Sequence, residues 1–335
     1  MARDNQLDAA KGTLIFLVVF GHLIEPVRGD GWGVHVYRFV YLFHMPAFIF
    51  ISGMLTSPRL DTDHAEKLVS RLLVPLLVFE CIGLIVHYLA RGKLPGSVTN
   101  LQPAWTLWFF LSLTFWRLFT PLLLRFRRPV LISVLIALLG LSAEPTGTYL
   151  SVARTFSFLP FFMIGQVYGR DIVAAVRKRS ALPWALLALG VMILLLLGAD
   201  HLHRRMLFGD SSFPKVDLTL AQGVALRVWT WLLSLVAIVA VLRLVPASRW
   251  LAGWGRHSLN VYVWHAPLLI ILREAVDWKA LDDHTAPLFM GLFVLGVVLC
   301  TLLASEPVHR ATEALLNPVR WLFLPRPKAV VSAPR

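Results

Sequence analysis

Charged and polar positions gather at intervals along the chain, and the stretches between them are almost wholly apolar. Cutting at the charge clusters and at Pro/Gly-rich joints leaves ten such segments: residues 9–27, 36–57, 68–90, 104–123, 129–143, 155–169, 182–198, 223–244, 258–275 and 286–308. A hydrocarbon layer about 30 Å thick is crossed by about 20 residues of α-helix. Hydrocarbon offers no partners to backbone N–H and C=O groups, so segments of this kind must satisfy themselves as helices. The expected fold is therefore all-α, a polytopic transmembrane bundle of about ten spans. Residues 1–324 form one membrane domain and 325–335 a basic, disordered tail. The fifth and sixth segments are short enough to be half-buried or strongly packed pieces.

Composition supports the same class. Of 335 residues, 57% are hydrophobic and 15% charged, against about 45–50% and about 25% in soluble domains. The formal charge of +13 would suggest nucleic acid as the partner of a soluble protein, but here topology explains it. With the N-terminus in the cytoplasm, 20 of the 32 Lys and Arg fall at inner ends and loops. Eleven fall at outer ones, Arg154 and Arg273 among them, and Arg117 lies within the fourth segment. This is the asymmetry of the positive-inside rule. An even number of crossings returns the C-terminus to the cytoplasm, membrane lipid becomes the surrounding partner, and nucleic acid drops out. The expected location is a cell membrane, in a bacterium the inner or plasma membrane. Arg3 and Lys11 ahead of an apolar run imitate a signal peptide, but Asp4, Asp8, His22 and Glu25 stand in the wrong places, so the segment reads as an uncleaved first span. Cys81 and Cys300 lie far apart in apolar runs and imply no disulfide framework.

An ionisable group at the centre of a membrane helix costs about 2.5–3.5 kcal/mol on insertion scales, so it faces protein or a wet cavity. Lys11 and His22 are eleven residues apart, which on a helix returns to within about 20° of one face and about 16 Å further along. Asp8, Lys11, His22 and Glu25 share that stripe, which would hold two ends of one long ligand. Equally, Lys11 reads as a snorkelling end-of-helix cation and His22 as an interior polar contact. In Phe43-His44-Met45-Pro46 a histidine precedes a proline that breaks the backbone ladder, and Ser52-Gly53 then permits close helix approach. Trp264-His265-Ala266-Pro267 repeats the pattern, with a packing role for His265 left open. Glu80, His87 and Arg117 are single ionisable groups in apolar helices. The outer stretch 199–222, with His201, His203, Arg204, Arg205, Asp210, Lys215 and Asp217, reads either as a functional loop or as a solvated connector. No Walker-type, His-Glu-x-x-His or Gly-x-Ser-x-Gly pattern occurs, so ATP-driven transport, zinc proteolysis and serine hydrolysis lack support, and no metal is expected.

The start from Asp8 to Lys11, the basic-x10-His spacing ending at His22, the run Tyr41-Leu42-Phe43-His44-Met45-Pro46-Ala47-Phe48-Ile49-Phe50-Ile51-Ser52-Gly53 and the later Tyr262-Val263-Trp264-His265-Ala266-Pro267 together resemble the membrane acyltransferase-3 family, especially its fucose 4-O-acetylase-like branch. The resemblance implies an enzyme that moves acyl groups, commonly acetyl from acetyl-CoA, onto hydroxyls of exported or surface carbohydrates and glycosides. It implies His22 as the catalytic histidine and Lys11 as its cationic partner. The family usually has arginine at the latter position, and lysine keeps the charge but not the bidentate fork.

On that reaction His22 takes the hydroxyl proton, Glu25 or Asp8 orients the imidazole, and His44 stabilises charge or holds the acceptor. Lys11, Asp8, Arg71, Arg125 and Arg128 are the candidates at the acyl-CoA, and Ser52 and His265 those at the acceptor. Direct transfer and an acetyl-histidine intermediate both fit. A proton-coupled transporter or flippase without acyl chemistry would use the same intramembrane histidines differently.

Overall fold

The computed structural model describes residues 4–29, 31–96, 98, 102–103, 106–143, 149–197, 204–278, 280–281 and 285–323, and every regular element among them is helical. In chain order these are α1 (Asn5–Ile24), α2 (Trp32–Leu55), α3 (Thr62–Leu68), α4 (Val74–Arg91), α5 (Trp108–Leu123), α6 (Pro129–Ser142) and α7 (Val152–Val176). There follow α8 (Ala181–Leu197), α9 (Arg204–Phe208), α10 (Leu220–Leu244), α11 (Arg249–Arg256), α12 (Ser258–Ala275), α13 (Thr285–Leu303) and α14 (Glu306–Phe323). Each of the ten apolar segments contains a helix. Six stretches are long and apolar enough to cross a membrane: Asn5–Val27, Trp32–Leu55, Thr62–Arg91, Tyr149–Val176, Leu220–Leu244 and Ala286–Leu303. Helices α5, α6 and α8 are shorter apolar helices. The sixth segment, expected to be short, is instead the 25-residue α7, because polar Gln166, Arg170 and Asp171 lie within a helix that runs on past the apolar stretch.

Helix α1 lies at the centre, against α2, α10, α11, α12 and α13. Asp4 caps its start, accepting from the Leu7 N–H at 3.0 Å, and Leu14, Ile15, Val19 and Leu23 are buried around it. Its first turns meet α11 backbone to backbone. A Cβ added at Gly12 would stand 1.9 Å from the Leu251 carbonyl oxygen, and one at Gly255 1.8 Å from that of Asp8. The crossing of α2 and α7 is built the same way: a Cβ at Gly53 would fall 2.1 Å from the Phe162 oxygen and one at Gly165 2.0 Å from that of Phe50. Small residues let membrane helices approach until dispersion forces act over the whole contact. On the periphery, Trp184, Leu187 and Leu194 of α8 and Met290, Val294 and Leu302 of α13 are exposed, as apolar side chains facing lipid would be.

Proline does not break α2, contrary to the expectation from Pro46. The helix runs through it, and the Leu42 carbonyl that Pro46 leaves without an N–H accepts from Ser234 Oγ of α10 at 2.6 Å. A polar side chain from a neighbour restores the lost bond. The irregularity lies instead in the third segment. Val69–Leu73 winds as a π-turn between α3 and α4, with the Val74 N–H reaching the Val69 oxygen. Pro75 has no N–H for the Arg71 carbonyl and its ring crowds that oxygen, so the turn widens there.

The described part of the 199–222 stretch is not a solvated connector. Phe213 is buried and its N–H donates to the Leu141 oxygen at 2.9 Å. Arg227 Nη1 donates to the Met206 oxygen at 2.7 Å, and Ser157 Oγ to the Gly209 oxygen at 2.9 Å. His201, His203 and the tail 325–335 lie outside the described residues.

Gly165→Val puts a branched side chain into the α2–α7 contact, and overpacking of this kind costs about 1–3 kcal/mol. A lower Tm in detergent is expected, whereas Gly190→Ala, with nothing within 4 Å of the new Cβ and a better helix former in place, does not lower it.

Candidate functional site

Two chambers lie toward opposite ends of α1. The first, about 510 Å³, is bordered by Lys11 from the start of that helix, and by Arg59, Lys67, Arg71 and Arg117. No carboxylate is among the described residues that line it. Lys11 Nζ reaches Asp8 Oδ1 at 3.2 Å, so Asp8 sits behind the lysine. The π-turn brings Arg71 to the chamber wall. Arg117 enters from α5, deep in the apolar bundle, and its buried Nε has no hydrogen-bond partner. Ser52 lines the same chamber, its Oγ turned to the Phe48 carbonyl at 2.8 Å.

The second chamber, about 140 Å³, is bordered by His22, Glu25, Tyr41, His44, Arg154 and Asp210. His22 stands in the last turn of α1, and Glu25 opens a short 3₁₀ turn, Glu25–Val27, that ends the segment at Pro26. His22 Nδ1 lies 3.1 Å from Tyr41 Oη and 3.8 Å from Glu25 Oε2. Arg273 of α12 donates from Nη2 to Glu25 Oε2 at 2.7 Å and to the His22 carbonyl at 3.1 Å. One guanidinium thus fixes both the carboxylate and the helix end that carries the imidazole. Across the chamber Arg154 faces Asp210 at 3.5 Å.

His44 and His265 use one device. His44 Nδ1 lies 2.6 Å from the Val40 oxygen, and His265 Nδ1 lies 2.7 Å from that of Tyr262. A carbonyl only accepts, so each Nδ1 carries the hydrogen, and in the neutral ring Nε2 is left as an acceptor. His44 presents its ring to the chamber. His265 is fully buried and stacks on His22 with ring centroids 5.7 Å apart, its Nε2 unpartnered.

The fold therefore brings His22, Glu25 and His44 together and gathers Lys11, Ser52 and Arg71 in the other chamber. His265 lines neither chamber and packs behind His22. Arg125 and Arg128 stand on the exposed turn between α5 and α6, outside both linings. His87 turns Nδ1 to the Lys93 oxygen at 2.9 Å, away from either site. Sequence reasoning missed Arg154 and Arg273, whose charges pass for ordinary outer-loop charges until packing turns them inward, and named Asp210 only within a stretch read either as a functional loop or as a connector. Tyr41 and Tyr262 lay within recognised runs, but nothing in one sequence separated them from the aromatic residues around them.

A family model described as an acyltransferase domain matches residues 4–305. The chain belongs to the acyltransferase-3 family. That acyltransferase domain contains every residue of both chambers, and with six helices apolar enough to cross a bilayer the chain is a multi-pass membrane protein. Nodulation protein NolL of Sinorhizobium fredii is 29% identical over 67% of this chain and 66% of its own length. Nodulation protein NolL of Mesorhizobium japonicum is 37% identical over 22% of each chain. The matched region thus spans less than two thirds of either relative. No solved structure matches the chain.

Arg273 and Glu25 act on His22 as one unit, so their substitutions are expected not to add. In an acyl-transfer assay, Arg273→Met and Glu25→Gln should each lower kcat, by roughly tenfold, and the double variant by little more.

Proposed function

We propose that the protein is an integral-membrane O-acyltransferase. It takes an acetyl or other short acyl group from cytoplasmic acyl-CoA at the first chamber. It passes that group to a hydroxyl of an exported or surface carbohydrate or glycoside at the second. Both termini are then cytoplasmic, and the chain makes about ten crossings. The observation that carries this reading is the pairing of a wholly cationic chamber with a histidine–carboxylate chamber at opposite ends of one helix, both bordered by Tyr262. Arg177, just past the C-terminal end of α7, bonds Asp4 at 2.7 Å, so this end of α7 and the start of α1 lie together, as an alternating topology requires.

The donor set of the first chamber suits a polyphosphate: Arg71 and Arg117 offer charge and planar forks, and Lys11 adds a cation backed by Asp8, with no carboxylate on the described lining itself. Acyl-CoA supplies the activated thioester. The stripe from Lys11 to His22 is about 16 Å long, the reach over which the chain guides an extended donor arm inward. In the second chamber His22 Nδ1 is turned to Tyr41 and Glu25, and the reading assigns Nε2 to the proton of the attacking hydroxyl. Glu25, held by Arg273, fixes the ring and stabilises its positive charge after proton transfer. His44 Nε2 accepts from a second acceptor hydroxyl, and Arg154 and Asp210 supply a donor and an acceptor for the rest of the polyol.

Labelled acetyl-CoA supplied to the Lys11 face of sealed membrane vesicles should yield O-acetylated glycan on the other face, read by mass spectrometry. His22→Ala should lower that rate by about 10²–10⁴-fold, and transfer by this variant at the wild-type rate would refute the assignment. Uptake of unmodified acceptor driven by a proton gradient, without acetylation, would favour a transporter. Arg117→Gln should raise KM for acetyl-CoA, by about tenfold, and leave kcat near its wild-type value.

A further inference from the structure

We infer that Tyr262 is a partition between the two chambers, the residue that keeps a donor in the first chamber out of contact with water in the second. This rests on the two-chamber reading above. Tyr262 borders both cavities and is itself buried. Its hydroxyl donates to the Thr106 carbonyl oxygen, which pins the side chain of α12 to the turn entering α5. Edge-to-face contacts with Phe109 and Phe110, with centroids 5.7 and 5.0 Å away, hold the ring across the gap.

The α5 turn is divided by the same wall. Phe109 and Phe110 face the first chamber, whereas Thr106 and Trp108 face the second. On α2 the change from one side to the other occurs between Met45 and Phe48. The wall is therefore one side chain thick on α12, and the Tyr262 hydroxyl fastens it to the turn entering α5 at Thr106.

A thioester that meets water beside a general base is lost: water adds to the carbonyl, the C–S bond breaks, and acetate, free coenzyme A thiol and a proton result. Shielding a reactive group until the second substrate is seated is a recognised use of enclosure. Tyr262 is a positioning residue in this sense, acting by exclusion, and its hydroxyl anchor makes the exclusion reversible, since hydrogen bonds and no covalent link must break for the ring to turn aside.

Two readouts test this. The first is thiol release from acetyl-CoA without an acceptor. Tyr262→Ala should raise it by roughly tenfold, and Tyr262→Phe, which keeps the ring and loses the anchor, by a smaller factor. The second needs no donor. In a Cys81→Ser background, Met45→Cys places a thiol on the second chamber, and a membrane-impermeant maleimide is applied to vesicles sealed with the Lys11 face outward. The thiol should resist labelling with Tyr262 present and become reactive in Tyr262→Ala and, more slowly, in Tyr262→Phe. Unchanged thiol release together with unchanged labelling in a folded Tyr262→Ala protein would overturn the partition. If that variant does not fold, the same null result in Tyr262→Phe overturns it. Failure of the wild type to bind acetyl-CoA, measured by titration calorimetry, would instead sink the donor reading and leave the labelling result to stand on its own.

Discussion

An ionised side chain inside a bilayer has to be given a polar neighbour or a wet cavity, because hydrocarbon returns nothing for its lost hydration. The arrangement of this bundle follows from that demand. Arg273 is placed to hold Glu25 and the end of α1, Arg154 faces Asp210, and buried Arg227 holds the Met206 carbonyl. The first two pairings draw together segments that lie far apart in the chain, and the third folds the 204–219 stretch back onto α10. The charges that a membrane makes expensive are thus the charges that close the second chamber.

Around them, close contact of backbones sets the frame. Gly12 against α11 and Gly53 with Gly165 between α2 and α7 leave no space for a side chain. Both crossings flank the chambers: Lys11 neighbours Gly12, and Ser52 neighbours Gly53. The same two helices carry His22, in the last turn of α1, and His44, near the middle of α2. A rigid crossing fixes the height and rotation of the histidine further along its helix, since a packed helix transmits displacement along its axis. Proline adds to this geometry without breaking it: at Pro46 a neighbour's hydroxyl takes the freed carbonyl, and at Pro75 the widened turn sets Arg71 on the chamber wall.

Much of this was legible in the residues. Apolar length marked a helix in each of the ten segments, and helical arithmetic set Lys11 and His22 on one stripe. It did not show that the stripe passes through two chambers. The amphipathic α11 and α14 were missed because their polar faces interrupt the apolar count, and α9 because five residues give no periodicity. Arg125 and Arg128 looked like Arg71 in composition, yet they lie on an exposed turn while Arg71 lines a cavity, and loop charge alone does not distinguish these placements.

The sequence by itself determined the class of molecule, the helical state of its segments and the identity of the central histidines, because those depend on local composition and on a repeat of 3.6 residues. Only the tertiary structure decided which charges face each other, that the 204–219 stretch folds inward, and that one tyrosine borders both chambers. These are relations between segments up to 251 residues apart, such as Arg273 and His22. They depend on how helices rotate about their own axes when packed, and a single helix carries no record of its neighbour's rotation.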